Sequence, residues 1–246
     1  MDRLYSRHAV RESLRARRRT FLRLLIAEGV DDAPILREIN HLAQLARVPV
    51  TTAKRDALNQ VTPHHQGVLL EAGAYPYVDV DEIFAHAQAR QQAPFILVLD
   101  ALQDPQNFGS LIRTAEAVGV HGVIVPERRS ASVTPAAVNA SSGAVEHMRV
   151  AQVVNLARAI DEIKQRDVWV YALHGESPAT PLFSADLKGA LAIVVGSEGE
   201  GVHRLVREKA DFVLKLPMHG QVESLNAAVA GSVTLYEALR QRATSL

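Results

Sequence analysis

Cysteine is missing from this chain altogether. Its absence excludes disulfide cross-links, a thiolate nucleophile and any zinc site built on cysteine sulfur. Aromatic residues are scarce, at 5% with a single tryptophan, so aliphatic side chains must build the core. Neither sign of charge is in excess: 27 Lys and Arg balance 27 Asp and Glu, which argues against nonspecific coating of nucleic acid. No apolar run approaches a membrane span, and no signal-peptide core follows the arginine-rich start. The expectation is a cytoplasmic protein with no membrane partner. With no H-E-x-x-H pair and no grouped carboxylates, catalysis is expected to need no metal. What the chain does have is aliphatic bulk. Of its 246 residues 48% are hydrophobic, enough for one large domain or a small one plus a medium one.

The charge that is present is unevenly placed. Arg3, Arg7, Arg11, Arg15, Arg17, Arg18, Arg19 and Arg23 crowd the first 25 residues, opposed there only by Asp2 and Glu12. Guanidinium forks match phosphate oxygens, so Arg15, Arg17, Arg18 and Arg19 are candidate phosphate contacts, with a solvated helix face an even alternative on charge alone. Only the motifs further along the chain turn them into candidate RNA contacts. Short helices and strands alternate over residues 1–74. The pattern predicts a helix over 5–14 capped by Ser6, a strand over 21–27, a helix over 34–47 opened by Pro34 and a strand over 48–51. A short helix over 54–59 and a strand over 67–72 follow. His64 and His65, just before that strand, read as exposed loop residues. The Pro-interrupted acidic stretch from Tyr75 reads as a linker over 75–93, with a helix over 81–92.

From Pro94 the alternation lengthens. Residues 95–99, 122–125, 168–173, 191–195 and 212–216 are near-continuous apolar runs separated by helical stretches. Strands buried on both faces have this character, which implies an α/β fold with a mostly parallel sheet covered by helices. Ligands in such sheets sit beyond the carboxyl ends of the strands. Arg128 and Arg129 follow one of those ends and are further candidate phosphate contacts.

Three segments concentrate the chemistry. Asp104-Pro-Gln-Asn-Phe-Gly-Ser-Leu-Ile-Arg113 opens a helix expected to end near Gly119, with Asn107 as its cap and Arg113 beside the buried stripe of Phe108, Leu111, Ile112, Ala115 and Val118. Leu191-Ala-Ile-Val-Val-Gly-Ser-Glu-Gly-Glu-Gly201 is a strand entering a loop whose glycines let backbone approach a ligand. Leu216-Pro-Met-His-Gly-Gln-Val-Glu-Ser-Leu-Asn226 leads into a helix over 227–239, capped by Ser224 or Asn226. The glycine spacing fits neither G-x-G-x-x-G nor the P-loop, so neither a dinucleotide nor a P-loop nucleotide follows from it.

These three segments, in this order and across about 120 residues, resemble the motifs of the SpoU (TrmH) RNA 2′-O-ribose methyltransferases. The likeness reaches the amino-terminal part and is closest to bacterial enzymes that methylate a guanosine ribose in 23S ribosomal RNA. It implies a SPOUT-type sheet with a carboxy-terminal trefoil knot over 94–246, preceded by an L30e-like RNA substrate-binding domain over 1–74. It further implies S-adenosylmethionine as cofactor, contacted by Gly196, Leu216 and Leu225, and a homodimer. Arg113 would act on the substrate 2′-OH with Asn107 alongside; Glu198, Ser224 and Asn226 complete the catalytic set. Ala228, Gly231, Ser232 and Leu235 have close-packing spacing on the last helix, suited to a partner helix or an internal one. A transfer-RNA ribose methyltransferase, an antibiotic-resistance ribosomal methyltransferase and a noncatalytic RNA-binding module are the competing readings.

Overall fold

A computed structural model describes residues 1–128, 130–175, 178–197, 199 and 201–243. The chain forms two units, one of Met1–Pro76 with Val133–His147, the other of Tyr77–Ser132 with Met148–Leu246.

The first unit is built on a four-stranded sheet in the order β1-β4-β2-β3, from β1 (Asp2–Tyr5), β2 (Phe21–Ala27), β3 (Val50–Ala53) and β4 (Val68–Ala72). Only the β2–β3 pair is parallel. β4 lies between two neighbours and is buried along its whole length, although it carries Glu71. Two strand neighbours solve that problem. Arg23 meets the Glu71 carboxylate with two hydrogen bonds, 2.6 and 3.1 Å, and Arg3 approaches to 3.6 Å from the other side. Arg23 holds the carboxyl below its ordinary range. Helices α1 (Arg7–Ala16), α2 (Pro34–Leu45) and α3 (Arg55–Asn59) connect these strands. α1 buries Ala9, Val10, Ser13 and Leu14 and stops at Arg17, which is left-handed at φ 51°.

Here several expectations change. The expected helix over 5–14 begins later, because Asp2–Tyr5 is a strand, and the Ser6 side chain does not cap it. His65 is buried rather than exposed. Residues 133–147, comprising α6 (Pro135–Ala140) and a 3-10 turn over Ala144–His147, are part of this unit. The side chain of Thr134 caps α6 by accepting from Ala137 N–H. The expected linker over 75–93 is packed structure: Tyr75 is buried, and α4 (Val80–Ala89) buries Ile83 and Ala87 in the second unit.

The second unit holds a seven-stranded parallel sheet in the order β7-β6-β5-β10-β8-β11-β9. Its strands are β5 (Phe95–Leu99), β6 (Gly122–Pro126), β7 (Val150–Val153), β8 (Trp169–Leu173), β9 (Thr180–Pro181), β10 (Leu191–Val195) and β11 (Phe212–Lys215). β5 and β10 lie side by side at the centre with every residue buried, as their unbroken apolar character requires. Helices α5 (Pro105–Ala117), α7 (Leu156–Lys164), α8 (Arg204–Lys209) and α9 (Ala227–Ala243) accompany the sheet. α5 starts where the sequence says a helix starts, with Pro105 in the first turn, but its cap is Asp104, whose carboxylate accepts from Gln106 and Asn107 N–H. Asn107 is thereby released from the capping role expected of it. Among the described residues no helix is long and apolar enough to cross a membrane.

Candidate functional site

The site forms where β10 leaves the sheet. Gly196 follows the last buried valine, and a Cβ placed on it would lie 2.0 Å from Gly201 C and 2.3 Å from Val202 N. Only glycine permits that approach. The loop doubles back, with Ser197 and Gly201 each donating a backbone hydrogen bond to the other, both 3.1 Å. Gly199 and Gly201 take φ of +90° and +67°, a region that favours glycine.

Two side chains at neighbouring strand ends fasten this loop. Asp100, at the end of β5, is 5% exposed. It accepts from His203 N–H at 2.7 Å and contacts His203 Nδ1 at 3.0 Å, so the strand end grips the chain just past the loop. His174 follows β8, and its ring lies 3.2 Å from the Cβ position of Gly201. Its Nε2 accepts from Arg207 Nη1 at 2.6 Å. Neither pair stood out in the sequence. The available signal was Asp100 itself, a carboxylate ending a wholly apolar strand.

The loop borders a cavity of about 460 Å³, lined among others by Leu173, His174, Gly196, Leu216, Ser224 and Leu225. This volume lies in the range of small-molecule sites. Leu216 is half-buried and Leu225 is 39% exposed, so they are not core residues; they face the cavity. Glycine backbone on one wall and aliphatic side chains on another suit a ligand with an aromatic face and a polar edge.

Asn226 and Asn107 lie in one hydrogen-bonded arrangement. Asn226 Oδ1 accepts from Val229 N–H at 3.1 Å and so caps α9, which settles the choice between Ser224 and Asn226. Its amide Nδ2 donates to Asn107 Oδ1 at 2.9 Å, pinning the start of α9 to the first turns of α5. Further along, Ser232 donates to Thr114 at 2.9 Å, and Gly231 lies so close that a Cβ would meet Leu111 Cδ1 at 2.8 Å. Ala228, Gly231 and Leu235 are therefore taken up inside this unit. Arg113 stands exposed on α5, outside the buried stripe, as its spacing requires. Glu198 and Arg129 lie outside the described residues, and Arg128 is exposed after β6. No group of three His, Cys, Asp or Glu able to hold a metal occurs among the described residues.

The amino-terminal arginines are placed differently from a phosphate-binding row. Arg19 has no exposed side-chain surface. It forms a two-pronged pair with Glu146, 2.8 and 3.0 Å, and reaches Asp2 at 2.6 Å. A guanidinium so enclosed holds this unit together and has no face for RNA. Arg15 is paired with Glu12 and Glu38, and Arg18 donates to Tyr75 Oη and the Pro76 carbonyl. Arg17 is exposed.

Comparison with known proteins bears on both units. Residues 94–236 match the model of the SpoU rRNA Methylase family, and residues 4–78 match that of the RNA 2′-O ribose methyltransferase substrate binding family. A Bacillus subtilis protein assigned to the TrmH-family tRNA/rRNA methyltransferases, YacO, is 41% identical over 242 residues, covering 98% of this chain and 96% of its own. The SpoU methyltransferase AviRb of Streptomyces viridochromogenes, crystallised with S-adenosylmethionine, superposes with a TM-score of 0.80 at 24% identity, covering 98% of this chain and 90% of AviRb. A structure concerned with 2′-OH methylation of C/U34 on tRNA is 31% identical with a TM-score of 0.55. That match covers 63% of this chain and 99% of the other.

Proposed function

Because this chain belongs to the SpoU (TrmH) family of RNA 2′-O-ribose methyltransferases, we propose that it methylates the ribose of a guanosine in 23S ribosomal RNA. Its cofactor is S-adenosylmethionine, which when bound supplies an electrophilic methyl group. The residues fit that cofactor: Gly196 gives a cradle that a Cβ would fill, and Leu216 and Leu225 offer apolar surface to an adenine ring. The observation that carries the catalytic assignment is the Asn107–Asn226 hydrogen bond. It holds the helix bearing Arg113 against the start of α9, whose preceding residues Ser224 and Leu225 line the cavity.

In this reading Arg113 orients the target phosphate and stabilises charge developing on the ribose oxygen. It does not take the proton, because a guanidinium keeps its own in proteins. Solvent or another acceptor receives the 2′-OH proton as the new C–O bond forms. Glu198, Ser224 and Asn226 complete the catalytic set by their match to the family motifs.

Support for ribosomal RNA comes from the match of residues 94–236 to the SpoU rRNA Methylase family. The carboxy-terminal trefoil knot belongs to the same proposal, supported by β10 entering between the earlier strands β5 and β8. So does a cytoplasmic homodimer, for which α9 offers Val229, Val233 and Tyr236, spaced along one face and 48%, 36% and 54% exposed.

The test maps 2′-O-methyl groups across total RNA from a deletion strain and its parent, with complementation by wild type and by Arg113→Ala. The proposal expects one 23S guanosine to lose its methyl group and only wild type to restore it. Loss confined to a transfer RNA would redirect the substrate, and no loss anywhere would leave a noncatalytic RNA binder.

A further inference from the structure

The first unit has a cavity of its own, of about 380 Å³, between the loop after β2 and the turn before β4. Arg7 and Arg55 line it, together with Asp31 and Gln66. Its walls are built to hold their shape. Arg7 N–H donates to Gln66 Oε1 at 3.1 Å, and Arg7 Nε donates to the Gln66 carbonyl at 3.0 Å. Gly67 has φ +87°, and a Cβ there would lie 2.5 Å from Val30 Cγ2, so the two loops touch at a point with no room for a side chain. Behind the turn, His65 Nδ1 accepts from Gly67 N–H at 2.8 Å while Nε2 faces Asn59 Oδ1 at 3.0 Å. Burial, helped by the nearby Arg55 charge, holds this imidazole below its ordinary range, so the turn keeps its acceptor near neutral pH.

Six arginines of this unit are taken up by carboxylates. Arg3, Arg11, Arg15, Arg19, Arg23 and Arg37 each have a carboxylate partner. Arg7, Arg17, Arg47 and Arg55 have none among the described residues, and of these four Arg7 and Arg55 line the cavity, with Asp31 beside them. Two guanidiniums without a carboxylate partner, one of them steadied through its Nε by the Gln66 carbonyl, are suited on a rigid rim to one phosphate group. The carboxylate beside them would repel a second phosphate but accept from the N–H groups of a base edge, as guanine presents. The volume suits one nucleotide.

Resting on the RNA methyltransferase reading, we infer that this cavity holds one unpaired nucleotide of the RNA substrate. Its phosphate lies between Arg7 and Arg55, and its base edge meets Asp31 and Gln66. RNA-binding proteins take bases of loops and bulges in this way, since only unstacked bases expose those edges. The assignment moves the RNA contact away from the Arg15–Arg19 run, most of which is engaged within the fold.

The experiment uses the full-length protein with ribosomal RNA extracted from a deletion strain, and the variants Arg55→Ala, Asp31→Asn and Arg17→Ala. Arg55 is exposed with no partner to strand, so its variant folds, as a melting curve verifies. Arg55→Ala is expected to weaken RNA binding and raise the KM for RNA about tenfold, with kcat and cofactor affinity unchanged. It also makes the slope of log Kd against log salt shallower by about 0.7–0.9. Asp31→Asn weakens binding without changing that slope, and Arg17→Ala stays within about twofold. Equal losses from Arg17→Ala and Arg55→Ala would overturn the inference in favour of diffuse attraction. Isotope-shift titrations with guanosine 5′-monophosphate and with inorganic phosphate separate a nucleotide site from an anion site: equal affinity for the two overturns the assignment. A wild-type protein that methylates no RNA would sink the enzymatic reading, whereas unchanged RNA affinity of Arg55→Ala, beside an active wild type, would sink this cavity alone.

Discussion

Replacing Gly196 by alanine should weaken cofactor binding sharply while leaving the fold in place. The added Cβ would lie 2.0 Å from Gly201 C and 2.1 Å from Gly201 O, against about 3.4 Å for ordinary contact, so one side of the loop must retreat by about 1.4 Å. Both colliding groups are backbone, and no rotamer relieves the clash. A movement that large breaks the two 3.1 Å hydrogen bonds between Ser197 and Gly201. At about 1–1.5 kcal/mol for each bond lost, the cofactor-competent loop becomes about 2–3 kcal/mol less favourable. Affinity for S-adenosylmethionine then falls by about 30–150-fold. Titration calorimetry with S-adenosylmethionine reads the loss, and circular dichroism shows whether β10 and its neighbours persist. Gly220→Ala is the matched control, because no atom lies within 4 Å of its Cβ position. Binding by Gly196→Ala within about threefold of wild type would refute the reasoning, since a loop that yields so easily cannot be what shapes the cavity.

Four further outcomes are expected. Arg19→Met leaves Glu146 buried without its partner and should cost about 3–5 kcal/mol in urea unfolding of the first unit; Arg15→Ala, at a partly exposed pair, should cost under about 1 kcal/mol, and similar losses in both would deny Arg19 its structural role. His121 is held down to about 4, from 6.5, first by burial and then by His86, Arg242 and Arg90. The unfolded chain therefore binds the proton first, and about 3 kcal/mol of stability present above pH 6.5 is lost as pH falls towards 4; His121→Asn, which keeps an acceptor for Phe95 N–H, should flatten that slope, and an unchanged slope would assign it elsewhere. Arg113→Lys should depress single-turnover methyl transfer about 100–1000-fold at every pH, whereas recovery towards pH 10 would favour a proton-accepting residue there. Val233→Asp on the exposed face of α9 should give a monomer by light scattering, and an unaltered dimer would place the interface on another surface.

Much of the second unit could be read directly because its signals are local. An all-apolar run of five residues has one compatible environment, and β5 and β10 occupy the sheet centre that their composition demands. The glycine loop and the residues around Leu216 and Leu225 came together because each follows a strand end on the same side of a parallel sheet. Elements with weak local signals escaped. β1 is the charged tetrapeptide Asp2–Tyr5, β7 has four residues and β9 only two. Capping was misplaced where two candidates competed: Asp104 precedes proline at the helix start and takes the role that Asn107 also suited. The arginines were least legible of all. What Arg23 and Arg19 pair with depends on acids 48 and 127 residues away in sequence, and no local pattern reports such a partner.

The pairing of Arg19 with Glu146 has a consequence for how this protein is made. The first unit needs residues 133–147, so its contacts stay incomplete when residue 76 has been synthesised. Another 71 residues, from 77 to 147, must be added first. At ribosomal speeds of about 5–20 residues per second, that interval lasts roughly 4–14 s. Throughout it the nascent sheet carries a guanidinium whose buried partner does not yet exist, a species suited to chaperone attention rather than to early folding. The same discontinuity means that trimming the gene at the apparent domain boundary yields two faulty products: residues 1–76 without the Glu146 carboxylate, and a remainder with that carboxylate and no arginine to meet it.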